Sequence, residues 1–246
     1  MFGRQAQTSR QVDRYVQKMT RQQWDHLKAK AEAGDPEAQW QVGSWFEDGL
    51  ADRRGHILVR PDAQAAARWF RRSAGSGNAA GQIHLGVCLC AGRGIRRDDT
   101  EALRWFKRAL RQGDPCAPNN IASLYRDRGN NRLAMFWYQR AVACGDADAL
   151  VEVGRGYYGG VGVRGDAKHA VRCFRQAVAA KNITQAGRED AMFHIGLAFH
   201  EGRGVKKSNA QAVRWLARAN RDADHAEARS LLGRIAKKSR AKLRRP

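Results

Sequence analysis

Around Leu85, Cys88 and Leu89 the apolar residues recur at helical intervals. A polar turn at Gly92-Arg93-Gly94 follows, and the same spacing resumes at Ala102, Trp105, Phe106, Ala109 and Leu110. Two consecutive stretches with a period near 3.6 predict two amphipathic helices joined by a turn. The pattern is not confined to that region. A small residue aligned with Gly86 returns as Gly43, Ala122, Gly154, Gly196 and Gly233. About midway between these positions stands a bulky pair: Trp69-Phe70, Trp105-Phe106, Trp137-Tyr138, Cys173-Phe174 and Trp215-Leu216. Two markers in fixed alternation, at a spacing of roughly 36 residues with loop insertions, predict a stack of helix pairs, each too small to bury its apolar face alone.

Boundary signals agree with this period. Asp98 with Glu101 and Ser208 with Gln211 have the spacing of capping boxes. Asp35-Pro36 and Asp114-Pro115 place a capping Asp before a Pro suited to the first helical turn. Gly34, Gly77, Gly113 and Gly145 stand where a preceding helix needs a left-handed exit. Gln22 to Ala33 is expected to be a lone second-type helix opening the stack, and Ala226 to Lys238 a lone first-type helix closing it. The expected organisation is a basic arm or helix over 1–21, a solenoid over 22–238 and a basic tail over 239–246.

The segments AQWQVGSWFEDG from Ala38, GQIHLGVCLCAGRGI from Gly81, ALVEVGRGYYGGVGV from Ala149 and AMFHIGLAFHEGRGV from Ala191 resemble Sel-one-like repeats, relatives of tetratricopeptide repeats. The resemblance covers about residues 24 to 236. It implies an all-α, right-handed superhelical solenoid of about five helix pairs with capping helices at both ends. It also implies first-type helices lining a concave face, second-type helices forming a convex one, and an adaptor or scaffold role, with neutralising or escorting a toxin or effector among the uses. The chain departs from the pattern in its third unit, IASLYRDRGNNRLAMFWY, which lacks the glycine turn and resembles a tetratricopeptide unit. Long irregular connections are expected at 49–61 and 180–190, and such loops on regular repeats often carry function.

Chemistry is sparse. The glycine turns at Gly92, Gly160 and Gly202 link helices and recur with the repeat, so they read as architecture rather than phosphate cradles. His84 with Cys88 and His169 with Cys173 offer two metal ligands each, too few for a site. His194 and His200 lack the Glu of a metalloprotease motif, and no nucleophile triad is signalled, so neither catalysis nor a cofactor is expected. Five cysteines without a CxxC pair suggest reduced thiols. No apolar run approaches a membrane span and the start lacks a secretory core, which gives a cytoplasmic expectation.

Lys and Arg total 45 against 24 Asp and Glu, a net charge of +21. That excess points to an acidic protein or peptide partner, with nucleic acid or anionic surfaces as the alternative. The sequence leaves the oligomeric state open, with a monomer favoured. Setting the helical register on the glycine marker turns Trp40, Gln41, Ser44, His84, Val87, Asn120, Ser123, Arg126, Glu152, Arg155, His194 and Leu197 toward the groove, where a peptide would lie. After Glu227 there is no acid, and Arg234, Lys237, Lys238, Arg240, Lys242, Arg244 and Arg245 form an electrostatic tail. A nucleic-acid reading needs exposed aromatics among the charges, and the tryptophans are expected to be buried.

Overall fold

Each helix starts and stops where local chemistry requires it in the computed structural model, which describes residues 19–52, 55–221 and 225–243. Among them are twelve helices: α1 (Arg21–Glu32), α2 (Pro36–Asp48), α3 (Ala63–Gly75), α4 (Ala79–Ala91), α5 (Asp99–Arg111), α6 (Ala117–Asp127), α7 (Asn131–Ala143), α8 (Ala149–Gly159), α9 (Ala167–Ala179), α10 (Gln185–Glu201), α11 (Asn209–Ala219) and α12 (Ala226–Leu243). Asp35, Asp98 and Ser208 cap α2, α5 and α11 by accepting backbone N–H bonds. Thr20 and Gln23 form a full capping box at α1, a T-x-x-Q signal in the sequence that fixes this helix two residues after Met19. Asp114 does not cap the sixth helix: it begins at Ala117, after a turn at Pro115-Cys116, and Cys116 offers no side-chain cap.

The fold is an all-α solenoid of paired helices. Contacts gather into two compact units, divided between Asp114 and Pro115. In the first, α1 packs on α2, α2 on α3, α3 on α4 and α4 on α5; α2 also touches α4. In the second, each helix from α6 to α12 packs on the next, and α8 touches α10.

The two sequence markers meet in the core. Phe70, Phe106, Phe174 and Leu216 are fully buried, each over the small residue of its own pair. A methyl added at Gly43 would lie 2.7 Å from the Phe70 ring, one at Gly154 2.5 Å from Phe174, and one at Gly196 2.8 Å from Leu216. Gly86 and Phe106 repeat the arrangement. Glycine therefore admits the ring, and each buried ring contributes roughly 2–3 kcal/mol of apolar burial. The third pair has Ala122 and Tyr138 instead, and the Tyr138 hydroxyl reaches polar partners.

The second glycine of each turn is architectural. Gly94, Gly162 and Gly204 have φ of 67°, 75° and 73° and lie against the backbone carbonyls of Ala63, Asn131 and Ala167, at the start of the second-type helix of the preceding pair. A side chain there would need both a left-handed backbone and space the preceding helix occupies.

Both long connections are more ordered than the sequence suggests. The first folds as an antiparallel hairpin of β1 (Leu50–Ala51) and β2 (Ile57–Val59), with Leu50 paired to Val59. The second is shortened because α10 starts at Gln185. Arg188 donates to the carbonyls of Val178 and Ala180, and Asn182 to that of Gly145. At the other end α12 runs to Leu243, past the expected boundary at Lys238. Of the expected arm or helix over 1–21, residues 1–18 lie outside the described residues, and Thr20 and Arg21 belong to the cap and first turn of α1.

Candidate interaction surface

Charge separates by helix type. The first-type helices α2, α4, α6, α8 and α10 carry eight Asp and Glu against three Lys and Arg. The second-type helices α1, α3, α5, α7, α9 and α11 carry four against seventeen. The second-type helices therefore carry a net +13 and the closing helix α12 a further +5, whereas the helices expected to line a groove are acid-leaning, at a net −5.

In the first unit, Glu47 on α2 organises the first-type face. Its carboxylate pairs with Arg93 and lies 3.6 Å from His84 Nδ1 on α4. The contact with His84, joined by the Arg93 guanidinium, holds the Glu47 carboxyl below its ordinary range against the opposing effect of burial. The His84 ring lies 4.8 Å from Phe70 and 5.9 Å from Trp40, centroid to centroid. Ser44 donates to the Trp40 carbonyl and Gln41 to Glu37. Trp40, Gln41, Ser44, His84 and Val87 are all half-buried, and the Trp40 and His84 rings meet across α2 and α4. His84 and Cys88 do not share a site: Cys88 points into the core, where burial, then Glu47, pushes its thiol up to about 11.

The second unit holds a longer network. Arg126 donates to the Tyr138 hydroxyl at 2.9 Å, and that hydroxyl is 3.3 Å from Ser123 Oγ. Arg126 and Arg155 flank Glu152 at 3.6 and 3.3 Å, Arg155 reaches Asp190 at 3.9 Å, and Asp190 lies 3.3 Å from His225 Nε2. Asn119, Ser123, Arg126, Tyr138, Glu152 and Asp190 line an open recess of about 240 Å³. Burial would raise the Asp190 carboxyl, but His225 and Arg155 hold it below its ordinary value.

Three predicted residues take other roles. Asn120 donates to the Cys116 carbonyl at the start of α6. Leu197 packs with the apolar clusters around Ile195 and Leu216. His194 stacks on Phe174 at 4.9 Å with its Nδ1 buried and without a hydrogen-bond partner. Burial, with Arg155 and His225, pushes His194 down to about 4. It is a packed, neutral ring.

Asp190, His225 and Glu227 bring three potential metal-ligand atoms within 4.8 Å. The chemistry of the set opposes a metal. His225 Nδ1 accepts the Ala228 N–H at 3.2 Å, capping α12, so its proton sits on Nε2, the atom that would face a metal and which instead faces Asp190. Asp190 and His225 escaped the sequence reading because 180–190 looked like loop and His225 preceded the closing helix. Tyr138 was hidden in the aromatic marker.

On the second-type helices Trp24 is buried as expected, but the tryptophans of the bulky pairs are not. Trp69, Trp105, Trp137 and Trp215 are half-buried, each beneath the arginine one turn on: Arg72 and Arg108 at 4.5 Å, Arg140 at 5.8 Å and Arg218 at 5.3 Å. In the closing segment Arg234 and Lys237 are exposed on α12; Lys238, Arg240 and Lys242 belong to the same helix, and Arg244 and Arg245 lie outside the described residues. No helix among the described residues is long and apolar enough to cross a membrane.

Comparison with known proteins follows the same periodicity. A family model described as the Sel1 repeat matches residues 36–78, 79–114, 123–146, 147–182 and 189–224, one match per helix pair. A Sel1 repeat protein from Oxalobacter formigenes has a similar fold, with a TM-score of 0.70 at 24% identity over 86% of this chain and 80% of that one. So does a protective antigen of uropathogenic Escherichia coli strains, with a TM-score of 0.57 at 24% identity over 89% of this chain and 52% of that one. In Rattus norvegicus, DAP3-binding cell death enhancer 1 is 29% identical over 99 residues, 40% of this chain and 18% of that protein. The chain thus spans less than a fifth of that relative's length. The matched repeats cover most of the sequence in phase with the helix pairs, and the protein belongs to the Sel1 repeat family.

Proposed function

We propose that the protein is a non-enzymatic scaffold that holds an extended peptide or a partner helix against its first-type helices. Sel1 repeat proteins generally mediate protein–protein interaction. The observation that carries the reading is the pre-paired polar network that runs from buried Tyr138 through half-buried Ser123, Glu152 and Asp190 to exposed Arg126 and Arg155, all but Arg155 lining one recess. Side chains already held by one another order little further when a partner arrives, which lowers the entropic cost of binding. Mixed hydrogen-bond donors and acceptors suit a peptide backbone with polar side chains. The acid excess on these helices favours a neutral or basic peptide there; an acidic partner suits the second-type helices. Neutralising or escorting a toxin or effector is one use of such a surface.

Affinity capture with the full chain at low and high salt tests this. The expected result is a partner retained at high salt and lost on Glu152→Arg, with Arg68→Glu and Arg71→Glu on α3 leaving it bound. A partner indifferent to Glu152→Arg and released by the α3 changes would sink the proposal.

A second reading rests on the seventeen basic residues and the arginine-capped tryptophans of the second-type helices: this face attracts polyanions. Its signature is binding that falls steeply with salt.

A further inference from the structure

The residue immediately before the bulky pair is arginine in four of the five repeats: Arg68, Arg104, Arg172 and Arg214, all exposed. In the third repeat it is Phe136, 52% exposed, with Leu133 one turn earlier at 39%. Arg132 and Arg140 lie four residues before and after Phe136, so α7 presents an Arg–Phe–Arg stripe. The Phe136 ring meets Trp137 edge-on at 5.4 Å, and Trp137 is itself beneath Arg140. Helix α9, whose Cys173 shares a core with Met135 and Tyr138 of α7, adds Lys168, Arg172 and Arg175. Helices α7, α9 and α11 together hold seven Lys and Arg and no acid of their own; Asp166 is the N-cap of α9.

We propose that this face of the second unit docks single-stranded nucleic acid, with Phe136 as the surface on which a base stacks and the surrounding arginines holding phosphates. The proposal rests on the polyanion reading and gives it a specific contact. A bare positive helix would attract any polyanion, whereas a flat apolar ring between guanidinium groups adds a site for the π-face of a base. Unpaired bases match both parts, since stacking onto a protruding ring requires a base free of its own duplex.

The test compares two fluorescein-labelled oligomers on the full chain by anisotropy: oligothymidylate of about twenty nucleotides, and an abasic oligomer with the same number of phosphates, each at about 50 and 200 mM salt. The expected preference for the thymidylate is at least about fivefold, the worth of one base–aromatic stack near 1 kcal/mol. Phe136→Arg, which installs the residue of the other four repeats, should abolish the preference while leaving abasic binding undiminished. Phe136→Leu should abolish it without adding charge, and both variants should keep the wild-type circular dichroism. Equal affinity for the two oligomers in the unmodified protein would overturn the stacking contact and leave the polyanion reading standing. Failure of even the abasic oligomer to bind at about 50 mM salt would remove both. A Glu-rich amphipathic peptide that displaces the thymidylate and depends on Phe136 would assign the surface to an acidic protein instead.

Discussion

His194 gives the fold a stability that drains away in mild acid. The imidazole stacks on Phe174, abuts Phe193 at 5.2 Å and buries Nδ1 without a partner, so protonation would place a charge beside Arg155 in a largely dry position. Its folded value is pushed down to about 4 from an ordinary value near 6.5. The folded state therefore binds fewer protons than the unfolded state throughout that window, and stability must fall as pH drops from about 6.5 toward 4. Between neutral pH and about 4.5 the linkage amounts to roughly 2.5 kcal/mol, and roughly 1.5 kcal/mol after allowance for the ring's remaining solvent contact. His225 runs the other way: the Asp190 carboxylate 3.3 Å from its Nε2 raises its value, so its contribution is present below the unfolded value and lost as pH rises through the folded one. Glu47 and Asp190, both held below their ordinary values, lose their contributions only in more acidic solution. Urea unfolding followed by circular dichroism at pH 7.5, 6 and 4.5 should show the decline. His194→Phe keeps the stack, removes the proton and should flatten the profile over this window. Because His225 opposes the decline, the comparison with the variant decides: an unchanged profile in His194→Phe would refute the buried neutral histidine.

Gly154→Ala should destabilise by about 1–3 kcal/mol in chemical denaturation, because the new methyl meets the Phe174 ring; a helix position without that ring would gain up to about 1 kcal/mol from the same change. Tyr138→Phe removes the hydroxyl shared by Ser123 and Arg126, with an expected loss of about 1–2 kcal/mol, measured in the same assay. Alkylation followed by mass spectrometry should modify exposed Cys116 and Cys144 first and Cys88 last, since Cys88 is buried and its thiol is pushed up to about 11.

Much of the architecture is written locally. The alternation of Gly86-type and Phe106-type positions survives in the sequence because each requires the other: a ring that fills the space a Cβ would take constrains both residues at once. Caps such as Asp98 and Ser208 are legible for the same reason, their partners being two or three residues away. Where a signal has a short reach but a competing geometry, the reading fails, as at Asp114-Pro115, where the turn extends to Cys116 before α6 begins.

The candidate surface was legible only in part. Helical register singled out Trp40 and His84 in the first unit and Arg126, Glu152 and Arg155 in the second, residues that meet polar or aromatic partners within their own unit, since register needs nothing but the period. It could not show that the His194 ring would stack on Phe174 or that Leu197 would lean on the buried cluster around Ile195, although both remain half-buried. Asp190, His225 and Tyr138 joined the network through contacts between helices far apart in sequence, which no local pattern encodes.

The sequence by itself determined the repeat, the helix pairs, their phase and the total charge, because these depend on residue order and on spacings of a few positions. Tertiary structure decided where the charge lies, which aromatics are covered and which polar groups meet. Those properties depend on which neighbouring helix a side chain faces. Phe136 is the clearest case: in the sequence it is one more apolar residue beside a tryptophan, and in the fold it stands exposed where four other repeats present arginine.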